Sequence, residues 1–109
     1  MTQPKEYTPD APTRDQIDAT TGVQVLEFGT NWCGICAAAQ PVITQALSKQ
    51  QELTHLKIED GPGRPLGRSF KVKLWPTLVF LVDGQEVARV VRPTDVKAIE
   101  DALLRLEAD

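Results

Sequence analysis

The sequence predicts a single α/β domain with a mixed central β-sheet flanked by helices on both faces. Apolar, β-branched segments alternate with helical segments along the first two thirds of the chain, which is typical of parallel strands joined by crossover helices. An Asp-Gly pair, Asp83 and Gly84, then separates two further strand-like segments and indicates a hairpin. After residue 95, apolar side chains recur at helical spacing, so a final amphipathic helix is expected to pack on the sheet.

The N-terminal part divides into a leader and the start of the domain. Residues 1–12 are polar and contain three prolines, which predicts a flexible leader, with the domain running over 13–109. A short strand near Tyr7 is the weaker alternative. A short helix should follow the leader. Thr13 can cap it because Gln16 follows three residues later, and Gly22 can end it.

The next two elements carry most of the chemical information. Residues 23–28 read VQVLEF and form an almost continuous apolar run, which predicts a central strand buried on both faces. Glu27 is the anomaly in that strand. Helix-forming residues dominate from Cys33 to about Gln50, and Pro41 should kink this helix because it lacks an N–H group.

The second half of the chain contains shorter elements. The pattern predicts strands at residues 53–60, 77–82 and 85–91, with one helical turn in the Gly- and Pro-rich loop before Phe70. Thr94 is the expected N-cap of the last helix, with Asp95 in its first turn.

Length, charge and composition exclude several classes of function. The chain has 109 residues and a net charge of −3, so no broad basic surface for nucleic acid or membranes is expected. No apolar run is long enough to span a bilayer. The N-terminus lacks the apolar segment of a secretory signal, so either the protein is cytoplasmic, which is the expectation, or a leader has been removed. A monomer is expected.

The two cysteines, Cys33 and Cys36, allow three interpretations. A zinc site needs about four ligands, and only His55 adds to the pair. A structural disulfide across so short a loop removes little entropy from the unfolded chain. A redox pair is favoured, because the cysteines begin a helix directly after a buried strand.

The helix position also assigns a role to each cysteine. The helix N-terminus stabilises an anion, so the pKa of Cys33 should fall and its thiolate should attack a substrate disulfide. Cys36 lies one turn further in and would resolve the mixed disulfide. Gly34 keeps the turn between them uncrowded.

The segment EFGTNWCGIC, with WPT further on and the DG hairpin, resembles thioredoxin over about residues 22–106. The resemblance implies the thioredoxin-like fold, dithiol–disulfide exchange with disulfide-containing protein substrates, and a reductase as electron donor. It implies no bound cofactor besides the Cys33–Cys36 pair. Pro76 matches a cis-proline of the family that faces the cysteines, and the backbone beside it can pair with an extended substrate strand. An ordinary proline at the start of a strand is the alternative.

Glu27 occupies the place of a buried aspartate in the resembled family, which moves a proton to or from the inner cysteine. Burial should raise the pKa of Glu27 toward neutrality, as a general acid–base needs. Glu27 would then serve Cys36 directly or through a water. The alternative is an edge strand with Glu27 facing solvent.

Two positions near the cysteines depart from the commonest thioredoxin pattern. Ile35 replaces a proline between the cysteines, which leaves the redox potential open. Trp75 replaces a small β-branched residue, and with Trp32 and Ile35 it would form an apolar rim that binds protein substrates. Trp75 could instead fold into the core.

Two charged or titratable residues depart from the pattern as well. Arg92 stands where the family commonly has glycine, so it either lies near Cys33, where it stabilises the thiolate or selects acidic substrates, or is a solvated loop arginine. His55 replaces a lysine that often lies near the buried carboxylate. It could tune Glu27 or be a strand residue without a role.

The function predicted from these residues is thiol–disulfide exchange that reduces protein disulfides through the Cys33/Cys36 dithiol. Two alternatives stay open: a client-binding, chaperone-type module that uses the apolar rim, and an oxidase or isomerase of disulfides.

Overall fold

In the computed structural model of the chain, residues 6–107 are described. Their elements follow in the order α1 (Arg14–Asp18), β1 (Val23–Gly29), α2 (Gly34–Leu47), β2 (Thr54–Glu59), α3 (Pro65–Ser69), β3 (Thr77–Val82), β4 (Gln85–Val91) and α4 (Val96–Glu107). The bounds of β3 and β4 agree with the sequence prediction, and those of the other elements agree to within a few residues.

The four strands form one mixed sheet in the order β2-β1-β3-β4. β1 pairs with β2 in parallel and with β3 in antiparallel orientation, and β3 pairs with β4 in antiparallel orientation. The sheet therefore confirms the predicted combination of a parallel crossover pair and a hairpin. β1 lies between two neighbouring strands, and apolar clusters cover both faces of the sheet. The side chains of β1 are therefore removed from solvent on both faces.

Two apolar clusters cover the two faces of the sheet. On one face, α2 and α4 pack on β1 and β3 through Ile43, Ile99 and Phe80, among other side chains. On the other face, α1 and α3 contribute Ile17 and Leu66 to a second cluster. Fully burying a side chain of this size stabilises the fold by about 1.5–3 kcal/mol, so both faces hold the sheet rigid beneath the site. The predicted helices on both faces are confirmed.

The segment before α1 differs from the flexible leader that the sequence predicted. Tyr7 is only 4% exposed, and Thr8 forms a parallel bridge with Ile58 of β2. The Thr8 N–H donates to the Lys57 carbonyl at 3.0 Å, and the Glu59 N–H donates to the Thr8 carbonyl at 2.9 Å. The prolines nearby do not prevent this pairing, because a single bridge needs only the two backbone groups of one residue. Residues 1–5 of the predicted leader lie outside the described residues.

The ends of two helices differ from the prediction in one detail each. Thr13 and Gln16 form the predicted capping box of α1, but the helix ends at Asp18, before Gly22. Gly22 instead has a positive φ of 83° in the link to β1. At α4, the Asp95 carboxylate accepts from the Ala98 N–H at 3.0 Å, so Asp95 caps the helix in place of Thr94.

The turn between β3 and β4 has the backbone that its sequence predicts. Asp83 and Gly84 both have positive φ, at 49° and 79°. Two positive φ values in succession match the right-handed twist of a two-residue hairpin. A Cβ at position 84 would also clash with the backbone of Asp18. Glycine is therefore required there both by the positive φ and by the close approach of Asp18.

The longest helix of the described part of the chain is α2, with 14 residues, and Pro41 lies inside it. Pro41 cannot donate a hydrogen bond to the carbonyl four residues earlier.

Among residues 6–107, no helix is both long enough and apolar enough to cross a membrane.

Candidate active site

The two cysteines lie at the junction of β1 and α2, with Cys33 at the protein surface and Cys36 beneath it. Cys33 is the N-cap residue of α2, and its Sγ accepts a hydrogen bond from the Cys36 N–H at 3.1 Å. Cys33 is half-buried, whereas Cys36 is only 1% exposed. An N–H group at a helix N-terminus stabilises negative charge on the sulfur that it contacts. The geometry therefore suits Cys33 to nucleophilic attack and Cys36 to a second, internal step.

An apolar rim, formed by Trp32, Ile35 and Trp75, surrounds the exposed cysteine. The exposed fractions of Trp32 and Ile35 are 78% and 46%. The indole rings of Trp32 and Trp75 pack edge to face, with centroids 5.7 Å apart. Trp75 is half-buried and belongs to neither core cluster. A Cβ at Gly34 would meet no atom within 4 Å, so the space beside Cys33 is open.

Asp60 holds Trp75 in the rim. The Trp75 Nε1–H donates to Asp60 Oδ2 at 2.9 Å, and the ring lies over Gly61. Asp60 is itself fixed to the end of β1, because its N–H donates to the Gly29 carbonyl at 3.0 Å. A tryptophan anchored at its polar end presents a fixed apolar face to a partner.

Pro76 and Arg92 form the far side of the site. The Trp75–Pro76 peptide bond is cis, and Pro76 is buried. Arg92 has a positive φ of 51°, and its N–H donates to the Pro76 carbonyl at 2.9 Å. Its Nε–H donates to the Trp75 carbonyl at 2.9 Å. Arg92 is therefore bound to the backbone of the Trp75–Pro76 segment, and the structure gives its guanidinium this role in place of a contact with Cys33.

Glu27 lies at the centre of a buried polar cluster below the cysteines. Its side chain is 0% exposed in the central strand, so the alternative of an edge strand facing solvent was wrong. Oε1 lies 2.9 Å from His55 Nε2, and Oε2 accepts from the Tyr7 hydroxyl and from Gln40 Nε2–H at 2.9 Å. A carboxylate only accepts hydrogen bonds, so all three neighbours act as donors toward it.

The pKa of Glu27 has the opposite direction from the one expected from burial. Burial acts to raise this pKa, but the hydrogen bonds from His55, Tyr7 and Gln40 outweigh burial and hold the pKa below its usual range. The expectation of a pKa near neutrality considered burial alone and was wrong. Glu27 is thus an ionised carboxylate at neutral pH, which can accept a proton.

The pKa of Cys36 shifts in the opposite direction from that of Glu27. Burial is the largest cause that raises its pKa to about 11, and hydrogen bonding with Cys33 adds to the rise. At neutral pH Cys36 is a thiol, so it must lose a proton before it can act as a nucleophile. The site therefore places a thiol that needs a base in the same buried region as an ionised carboxylate.

The sequence did not single out several of these residues. Tyr7 falls in the predicted leader, and nothing in the sequence distinguishes Gln40 from other helical residues or Asp60 from its neighbours. The contact of His55 with Glu27 favours the tuning role over a strand residue without one. The spacing of Gln40 four residues after Cys36 was an available signal, because i and i+4 share a helix face.

Metal binding finds no support within residues 6–107, because no group of three or more His, Cys, Asp or Glu side chains there could hold a metal ion. Cys33 and Cys36 are both free thiols.

Comparison with known proteins identifies the class of this fold and site. The thioredoxin family profile matches residues 6–105. The structure of thioredoxin 2 from Pseudomonas aeruginosa PAO1 in its reduced form is 56% identical, with a TM-score of 0.84 and 94% of each chain covered. A thioredoxin of Chlamydia trachomatis serovar D is 32% identical over 87 residues, which are 79% of this chain and 80% of that one.

A plant relative is covered less completely. Thioredoxin H2-1 of Oryza sativa subsp. japonica is 31% identical over 72 residues, or 66% of this chain. This chain spans about half of the length of that relative, 52%. Because the family profile covers nearly the whole sequence, the chain belongs to the thioredoxin family, and the predicted thioredoxin-like fold is confirmed.

Proposed function

We propose that this chain is a thiol–disulfide oxidoreductase that reduces protein disulfides through the Cys33/Cys36 dithiol. The observation that carries the proposal is the contrast between the two cysteines. Cys33 is reachable and its sulfur is bound to a helix N-terminal N–H, whereas Cys36 is buried one turn away. Membership of the thioredoxin family supports the same reaction.

The reaction proceeds in two exchanges. The Cys33 thiolate attacks one sulfur of the substrate disulfide, a Cys33–substrate disulfide forms, and the other substrate sulfur leaves with the electron pair as a thiolate. Cys36 then loses its proton and attacks the Cys33 sulfur. The Cys33–Cys36 disulfide forms, and the second substrate sulfur leaves as a thiolate that takes a proton from solvent. Two electrons pass from the dithiol to the substrate, so no bound cofactor is proposed.

The apolar rim and the Trp75–Pro76 segment form the proposed substrate-binding surface. Trp32, Ile35 and Trp75 would contact apolar side chains beside the target disulfide. The backbone at Pro76 would pair with an extended substrate segment. The Arg92 side chain already occupies the Trp75 carbonyl, so it must share or release this acceptor when the segment binds.

Reduction of insulin disulfides by dithiothreitol tests the proposed reaction. We expect the native chain to accelerate the reduction and Cys33→Ser to return it to the uncatalysed rate. Ala38→Ser, an exposed position on the same helix with no contact to Cys33, serves as the matched control and should keep full activity. Equal rates for the native chain and Cys33→Ser would overturn the proposal.

We further propose that the protein works as a monomer in the cytoplasm and receives its electrons from a reductase. A dithiol that reduces other proteins suits a compartment that keeps thiols reduced. The reduction potential, measured by equilibration with glutathione, tests this direction. A value near ~−270 mV supports a reductant, whereas a value near ~−120 mV would make the protein an oxidant of dithiols.

The exposed rim also favours a second candidate, a module that binds unfolded clients. Trp32, at 78% exposure, is unusually open for a tryptophan. A chain with both cysteines changed to serine separates the two functions. If it still suppresses client aggregation and Trp32→Ala does not, the rim has a binding function independent of the redox pair.

A further inference from the structure

We infer that the Tyr7 hydroxyl is a catalytic proton relay that carries the proton of the Cys36 thiol to the Glu27 carboxylate during resolution of the mixed disulfide. This inference rests on the proposed function and deepens it. It replaces the direct or water-mediated contact that the sequence suggested with a protein side chain. Nothing about the leader segment in the sequence indicated such a role.

The geometry places the hydroxyl between the two groups. It donates a hydrogen bond to Glu27 Oε2, and the ring that carries it lies beside the Cys36 sulfur. Gly29 makes room for this meeting. A Cβ at position 29 would lie 2.7 Å from Tyr7 Cζ and 2.8 Å from Cys36 Sγ, which no real Cβ tolerates. The tyrosine ring and the inner sulfur therefore share one space at the end of β1.

The chain holds Tyr7 in place from both sides. Asn31, two residues before Cys33, binds the Tyr7 backbone twice: Oδ1 accepts from the N–H at 2.9 Å, and Nδ2–H donates to the carbonyl at 3.0 Å. The bridge between Thr8 and Ile58 fixes the next residue to β2. A relay needs a donor and an acceptor at hydrogen-bond distance at the moment of transfer, and this double attachment supplies it.

The charges around the hydroxyl keep it protonated between turnovers. Burial raises the pKa of Tyr7 above its ordinary value, and the Glu27 carboxylate raises it further. From β2, His55 binds the other oxygen of Glu27, and the Lys57 ammonium lies 4.5 Å from the centre of the Tyr7 ring. From α2, Cys33 and Cys36 face the same space. Tyr7 therefore passes a proton on without persisting as a tyrosinate.

The transfer balances without a further reactant. The thiol proton of Cys36 moves to the Tyr7 oxygen while the Tyr7 hydroxyl proton moves to Glu27 Oε2. This leaves a Cys36 thiolate, a neutral tyrosine and a protonated Glu27. The thiolate attacks the Cys33 sulfur, the bond between Cys33 and the substrate breaks, and the substrate leaves with the electron pair. Glu27 keeps the proton while the Cys33–Cys36 disulfide exists. When the reductase reduces that disulfide, Cys36 leaves as a thiolate, and the reverse transfer through Tyr7 returns the proton to it.

Dithionitrobenzoate provides a test that measures both exchanges in one rapid-mixing experiment. Attack by Cys33 releases one nitrothiobenzoate at a rate that depends on reagent concentration. Attack by Cys36 on the mixed disulfide releases a second nitrothiobenzoate at a rate that is independent of reagent concentration. We expect Tyr7→Phe, which keeps the ring and deletes the hydroxyl, to leave the first rate unchanged. It should slow the second at least about tenfold at neutral pH.

Two further measurements separate a relay from a packing effect. The second rate of Tyr7→Phe should approach that of the native chain as the pH rises toward the Cys36 pKa of about 11, where thiolate forms without a base. In a Glu27→Gln background, Tyr7→Phe should cause little additional loss, because the proton has no destination. Ile17→Val, a buried substitution in the apolar cluster beneath α1 and α3, controls for a small loss of stability and should change neither rate.

The outcomes distinguish the relay from the proposed function. If the native chain gives no second, reagent-independent phase, the proposed function itself fails. If both phases occur and Tyr7→Phe matches the native second rate at neutral pH, the relay is overturned while the function stands. A slowdown of equal size at every pH, or one fully additive with Glu27→Gln, would also overturn the relay, because it would reflect packing alone.

Discussion

The two cysteines of this protein are separated by two residues and about one helical turn, yet they lie in contrasting regions. Cys33 opens toward a rim of exposed tryptophan and isoleucine side chains with space around it. Cys36 opens inward, toward a closed cluster of hydrogen-bonded polar groups. The comparison shows how two cysteines at the start of one helix acquire different chemical roles from their surroundings. Recognition belongs to the outer region and proton transfer to the inner one.

The largest expected effect comes from removing each cysteine in turn. Cys36→Ser should keep the first exchange and stop the second, so a covalent complex with substrate accumulates and turnover falls to the uncatalysed rate. Cys33→Ser should form no complex. Non-reducing gel electrophoresis with an insulin substrate measures the difference. A stable complex on Cys36 in the Cys33→Ser chain would break the assignment of outer and inner roles.

The outer region could largely be predicted from the sequence. Trp32 and Cys33 directly precede a predicted helix, and their exposure follows from this position at a helix start. Trp75 directly precedes Pro76, the proline that the resemblance to thioredoxin placed beside the cysteines. The inner region could not be predicted as fully. Tyr7 meets Glu27 across 20 positions, and its place is set by the bridge of Thr8 to β2 and by the Asn31 side chain. Such a long-range pairing leaves no periodic signal in one sequence.

Glu27 illustrates the same limit in its electrostatics. Its burial was predictable from the apolar strand around it, and burial alone implies a raised pKa. The direction reverses only because three donors converge from β2, α2 and the N-terminal segment. Those donors are separated in the chain. The register of β1 and β2 places only His55, whereas α2 carries Gln40 and the N-terminal segment carries Tyr7.

The second prediction concerns Glu27→Gln. Without a proton acceptor, the second exchange should slow about 10- to 100-fold at neutral pH while the first is unchanged. The amide would also point its N–H₂ group at His55, which could accept only by moving its proton to Nδ1. That buried atom has no partner in the described residues, so the free energy of unfolding should fall by about 1–3 kcal/mol. Urea unfolding measures this loss.

The same variant should change the acid stability in a defined direction. A carboxyl with a lowered folded pKa stabilises the fold above its unfolded pKa, about 4.3, and this contribution is lost as the pH falls through the folded value. Below pH about 5, the free energy of unfolding of Glu27→Gln should therefore depend less on pH than that of the native chain. Urea unfolding over an acid series compares the two slopes. Equal slopes would show that Glu27 is not ionised in the fold.

The third prediction returns to the outer region. Asp60→Ala removes the hydrogen bond that anchors the Trp75 indole, a bond worth about 1 kcal/mol. We expect the KM for protein disulfides to rise about fivefold with kcat nearly unchanged, because only binding by the rim is affected. Trp75→Phe, which keeps an aromatic ring without the donor, should give a rise of similar size. A fall in kcat at constant KM would assign Asp60 to the inner region instead.

The smallest expected effect is a gain in stability at Arg92, whose φ of 51° is unfavourable for any residue except glycine. Arg92→Gly relieves this conformation and loses only an exposed hydrogen bond to the Trp75 carbonyl, so the free energy of unfolding should rise by up to about 1 kcal/mol. Freeing that carbonyl should also leave both exchange rates with dithionitrobenzoate unchanged, since this small reagent needs no strand pairing. Arg92→Lys keeps the charge and the backbone conformation and serves as the control for stability. Arg92→Gly acts on the backbone of the outer region and not on the hydrogen-bond donors around Glu27. A change in the rate of the Cys36 exchange would therefore show that the two regions are coupled through the Trp75–Pro76 segment.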